Sequence, residues 1–100
     1  MTNSFIVAQH SSEGRLILAV CDSDIHGKKF EEKGVVLDLS SKFYHGEEKE
    51  AIAIEKLMLH AYTIHAVGKN AVAIATKLGL AAKEDIKVVA GVPHVQILML

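Results

Sequence analysis

The chain has 100 residues, half of them apolar and about a quarter charged, with eleven basic against twelve acidic side chains. That is one globular domain, residues 1–100, with enough apolar content for a core and too little charge to be a disordered chain. The formal charge of −1 gives no field to draw in a polyphosphate backbone, and the single cysteine excludes an internal disulfide.

In chain order, "SFIVAQH" and "RLILAVC" read as two strands around a turn at Gly14, because β-branched and other apolar residues crowd both runs. The second run is continuously apolar, as expected of an inner strand. "DSDIHG" follows as a turn. It resembles the start of a calcium loop, with Asp22, Asp24 and Gly27 at the first, third and sixth places. His26 at the fifth and Lys33 at the twelfth break the ligand pattern, however.

"GVVLDLS", residues 34–40, predicts a third strand, and "SKFYHG" a loop. Glu47, Glu48 and Glu50 suit the first turn of a helix, which should carry Ile54, Leu57, Met58 and Ala61 to His60 or beyond. "KNAVAIATKLG" restores helical periodicity and ends on Gly79, a natural C-terminal cap. Gly68 lies between, so the pattern reads either as two helices or as one helix bent at Gly68. Two last strands are expected at Ile86–Val89 and from His94 onward. The order strand, strand, strand, helix, helix, strand, strand predicts an α+β two-layer sandwich, with two helices on one face of a mostly antiparallel sheet of about five strands.

Four landmarks in fixed order, "AVCDSDIHGKKF", "FYHG", "HAVGKNAVAIATKLGL" and "VVAGVPHVQ", resemble the archaeal family called domain of unknown function 424. That family's pattern runs AVCD, GK, FYGG, ANxVGxxAVxxAxxxGL and GVPHAQ, and the resemblance spans about Ala19 to Gln96. It implies a small archaeal cytoplasmic protein with no established activity. Family members tend to be encoded near translation factors, including the beta subunit of initiation factor two, which suggests a protein partner in the translation machinery. His45 stands where the family usually has Gly, and His65 where it usually has Asn.

"GVPHVQ" contains the chain's one proline. Gly91 and Pro93 stiffen it into a turn feeding a strand. The same stiffness would hold His94 and Gln96, two apart and so on one strand face, toward a ligand or partner. Phe43 and Tyr44 in "FYHG" offer one ring to the core and one to a partner. Phe43, Tyr44, Pro93, His94 and Gln96 are therefore the expected binding residues of a non-enzymatic interaction module.

The alternative is a small enzyme or metal-dependent binder in which Cys21 and His94 converge, with Asp22 and His65 beside them. Six histidines and a cysteine invite a metal, but there is no CxxC or HExxH, and His60 to His65 overshoots one helix face. No metal, catalytic residue or cofactor is assigned. "VGKNA" is the nearest approach to a phosphate-cradling turn, with a glycine hinge as its plainer reading. Lys28, Lys29, Lys33 and Lys42 make a local basic run, read as a solvated face, so nucleic-acid binding is not expected. The N-terminus lacks a signal-peptide pattern and no apolar run is long enough to span a membrane, which suggests the cytoplasm. If "VQILML" formed the outermost strand, its bare edge would favour a homodimer.

Overall fold

The computed structural model describes residues 4–99. Eight strands and two helices follow in the order β1 (Ser4–Ser12), β2 (Arg15–Asp22), β3 (Lys29–Glu32), β4 (Val35–Asp38), β5 (Glu47–Glu50), α1 (Ala51–His60), β6 (Thr63–Val67), α2 (Lys69–Lys77), β7 (Lys87–Val89) and β8 (Val92–Leu98). Six strands make one sheet in the order β5-β1-β2-β6-β8-β7, and β3 with β4 forms a separate two-stranded sheet. The α+β class is as expected, but the sheet has six strands rather than about five. The predicted third strand lies outside it, in the small hairpin.

Three tight turns are built alike. Glu13-Gly14, Lys33-Gly34 and Ala90-Gly91 each put two successive residues at positive φ and join β1 to β2, β3 to β4 and β7 to β8. This is the turn whose backbone twist matches that of the paired strands. Glycine at its second place is what the sequence supplies each time.

Two expected elements are corrected. Glu47–Glu50 is not a helical turn but an edge strand paired antiparallel with β1, from Ser4↔Glu50 to Val7↔Glu47. An edge tolerates this charge because its outer side faces water, and carboxylates there deter further pairing. Between the helices, Thr63–Val67 is a strand, paired parallel with β2 and antiparallel with β8. Gly68 is thus neither a hinge nor a bend but the N-cap of α2, at φ 102° and ψ 152°. The cap predicted at Gly79 is present: its N–H donates to Thr76 O and that of Leu80 to Ala75 O, both at 3.0 Å, closing α2 with a Schellman motif.

Strand alternation divides the sheet's side chains between two faces. On the first, Phe5, Val7, Leu18, Val20, Ile64, Ala66, Val95 and Ile97 meet Ile54 and Met58 of α1 and Ala71, Val72 and Ala75 of α2 in one buried core. On the second, a smaller cluster of Cys21, Val67 and Val89 is roofed by Leu37 and Leu39, with Phe30 and Tyr44 packed around it. The hairpin β3–β4 is therefore a partial third layer, which a plain two-layer arrangement does not contain. Its end is tied to the β7–β8 turn, where Ala90 N–H donates to Glu32 Oε1 at 3.0 Å.

Candidate functional site

The strand registers set the second face out in three rows. Ile6, Cys21, Val67, His94 and Lys87 lie side by side across the sheet, followed by Ala8, Ala19, His65 and Gln96, and then His10, Ile17, Thr63 and Leu98. The first row lies under the β3–β4 roof as far as Val67. The second row carries alanines on β1 and β2, leaving room for the loop between β4 and β5.

That loop is pinned by histidines. Phe43 lies in a short 3-10 turn, Lys42–Tyr44, opened by Ser41, whose hydroxyl accepts from Phe43 N–H. His10 Nε2 lies 2.9 Å from Phe43 O, and His26 Nε2 lies 3.1 Å from Tyr44 O. Carbonyls only accept, so both histidines carry their proton on Nε2. The Phe43 ring stacks on His10 at 4.9 Å and 7°, and meets His65 edge-on at 4.9 Å and 85°. Tyr44 stands edge-on to Phe43 at 5.2 Å. Aromatic pairs favour both of these arrangements.

Beyond Phe43 the roof stops. His65, Thr63 and His94 are half-buried, Gln96 is exposed, and Leu98 is 55% exposed. A groove of about 520 Å³ runs alongside, lined by Thr63, Asp85, Lys87, His94, Gln96 and Leu98 among others. Of the expected binding residues, Phe43, Tyr44, His94 and Gln96 share this face, and His65 joins them at its centre.

Pro93 does not share it. Adjacent strand residues point opposite ways, so Pro93 turns to the helix face and lines a smaller cleft with Asp22, Asp24, Gly68 and Lys69. Its carbonyl accepts from Gly68 N–H at 2.8 Å, so its proton-less nitrogen also faces Gly68. The donor that proline lacks is missing just where β6 ends, and a proline is accommodated there inside the sheet.

Asp22 is likewise on the helix side. Its Oδ1 accepts from Ala71 N–H at 2.8 Å and its Oδ2 from Asn70 N–H at 3.1 Å. The carboxylate therefore occupies the helix start that "VGKNA" offered to an anion. Burial raises its pKa, while the two donated hydrogen bonds pull it back.

The expected convergence of Cys21 and His94 is corrected. Both lie opposite Val67, on either side of β6, so two strand spacings of about 10 Å in all separate them. Cys21 is fully buried, and burial with the nearby Asp22 and Asp24 carboxylates pushes its thiol up to about 12. A thiol held there is a small core hydrophobe rather than a nucleophile. Among the described residues no cluster of three or more His, Cys, Asp or Glu could hold a metal ion, and no helix is long and apolar enough to cross a membrane.

Burial lowers the pKa of His65, and burial with the facing Lys87 lowers that of His94. A histidine whose folded pKa is below its unfolded value takes its proton more readily in the unfolded chain. Stability is then fully present above about pH 6.5 and is lost as pH falls through the lowered folded values. Thermal unfolding followed by circular dichroism should show the melting temperature falling below that pH, with a shallower fall in the His65→Asn/His94→Asn double variant. An identical slope in the variant would contradict this account.

Thr63, His10 and His26 belong to the site, although sequence reasoning did not select them. The signal for Thr63 was available in the alternation of Thr63, His65 and Val67 with Ile64 and Ala66. Nothing local marked His10 or His26.

Residues 10–100 match the family described as "Protein of unknown function (DUF424)". An uncharacterised conserved protein from Methanopyrus kandleri has a similar crystal structure, with a TM-score of 0.79 and 30% identity, covering 97% of this chain and 92% of that one. No curated protein matches the chain.

Proposed function

The chain belongs to the DUF424 family, whose function is unknown, and from that premise we propose that it is a non-enzymatic module that binds a protein partner through the unroofed part of the second sheet face. One observation carries the reading. The helices bury most of the first face in one core, whereas the hairpin and the 42–44 turn cover only part of the second, leaving His94 and Gln96 on an open groove and His65 half-buried between Gln96 and Phe43. Uncharged imidazoles, an amide, the Thr63 hydroxyl and Leu98 form the mixed polar and apolar surface typical of a protein interface. Phe43 is a pre-positioned rim, its ring already fixed by His10 and His65. An archaeal cytoplasmic setting and a partner in the translation machinery are part of the proposal, on the strength of the family resemblance alone.

The test is affinity capture from an archaeal lysate with wild type, His65→Ala and His94→Ala, each first shown to be folded by circular dichroism. Both variants should lose a partner, with recovery falling roughly tenfold, which corresponds to about 1.4 kcal/mol of lost contact. Identical recoveries from all three proteins would overturn the proposal.

A further inference from the structure

The outer edge of β8 is only half covered. Gly68 N–H donates to Pro93 O at 2.8 Å and Met99 N–H to Tyr62 O at 2.7 Å, which fixes the phase of the β6–β8 ladder. Pro93, Val95, Ile97 and Met99 direct their backbone groups at β6, so His94, Gln96 and Leu98 direct theirs the other way. His94 is met by Lys87, the last residue in the β7 register. Among the described residues, Gln96 and Leu98 have no strand partner on that side, and the groove runs beside them.

This stretch carries none of the usual edge protections. β5 at the far edge holds three glutamates, and β7 is only three residues long and begins with a lysine. By contrast "VQILM", Val95–Met99, contains no charge, no proline and no bulge, and Leu98 is 55% exposed. Bare uncharged edges template strand pairing.

We propose that a second copy of this chain pairs with this edge, β8 against β8 in antiparallel register about a two-fold axis at Ile97. The fit to a second copy lies in the window's symmetry. Among the described residues of β8, Gln96 and Leu98 are the two whose outward backbone groups have no strand partner, and a two-fold axis at Ile97 sets each opposite the other's twin. That satisfies both residues in both copies with four hydrogen bonds. Lys87 closes one end of the window, limiting the contact to this short run. The window itself carries no charge, the groove beside it holds one acid, Asp85, and one base, Lys87, and each chain's net charge is only −1, so little net repulsion opposes pairing. Pairing with the partner's β5 instead would bring an uncharged edge against three carboxylates. The inference uses the backbone edge of Gln96 and Leu98, whose side chains also belong to the proposed partner surface, and it does not depend on that reading. It also revises the expectation that the C-terminal strand would have to be outermost: β8 is an inner strand for its first half and an edge for its second.

So short an interface makes a weak dimer, and the test is sedimentation equilibrium over concentrations from about 10 µM to about 1 mM. The wild-type mass should rise from 10.8 kDa toward twice that value. Gln96→Pro removes an N–H that the β6 ladder does not use, and Leu98→Lys puts a charge on an already exposed side chain. Both should remain at the monomer mass at every concentration while keeping the wild-type circular dichroism spectrum. If Gln96→Pro does not fold, Leu98→Lys alone decides. A wild type that stays monomeric, or a dimer that persists in the folded variants, would overturn the proposal.

Discussion

Gly46→Ala should destabilise the protein by about 3 kcal/mol or more, a large part of what holds a domain of this size together. Gly46 sits against β1 so closely that an added Cβ would overlap the carbonyl oxygen of Val7, lie 2.5 Å from its carbonyl carbon and 2.8 Å from Cα of Ala8. These are backbone atoms of a strand held on both sides, by β2 and by β5. No side-chain rotation can relieve the overlap, so the loop or the strand must move. The melting temperature should fall by about 12 °C or more, at roughly 4 to 8 °C per kcal/mol for a domain of about 100 residues. Because the same approach seats Phe43 against His10 and His65, partner capture should fail along with it. A melting temperature within about 3 °C of wild type would show that the loop yields without cost.

How far the sequence foretold this arrangement depends on the range over which each cause acts. The turn at Gly14, the end of α2 at Gly79 and the stiff segment at Gly91 were legible because each needs positive φ at a residue that is visibly glycine. β6 was not. It is five residues long, separated from α1 by Ala61 and Tyr62 and from α2 by Gly68 alone, so no loop signal brackets it. Its apolar residues extend the pattern of the helices on either side. β5 was misread because carboxylates suit a helix start as well as a solvated edge, and only the pairing with β1 decides between them. At the site, His94 and Gln96 were placed on one face by strand periodicity. Whether Cys21 reached them depended on β6 lying between β2 and β8, a pairing that brings together residues some 50 and 30 positions apart. The capping role of Asp22 was hidden for the same reason. Its partners, the Asn70 and Ala71 amides, lie 48 and 49 residues further on.

That long-range cap gives the other large effect. Gly68 occupies a region of backbone space essentially closed to other residues, and a Cβ there would stand 2.5 Å from Cγ and 2.6 Å from Oδ2 of Asp22. Gly68→Ala therefore combines backbone strain with displacement of the carboxylate from the α2 amides, and about 3 kcal/mol is the expected loss. Asp22→Ala leaves the same amides buried without an acceptor and should cost about 2 kcal/mol. The two costs overlap. Once the carboxylate is absent, the alanine at 68 no longer expels it and its two closest contacts vanish, so the double variant should lose about 1 kcal/mol less than the two single losses added together. Urea unfolding of the four proteins measures this coupling directly. Strict additivity would mean that Gly68 is needed for its backbone angle alone and that Asp22 does not dictate what can stand opposite it.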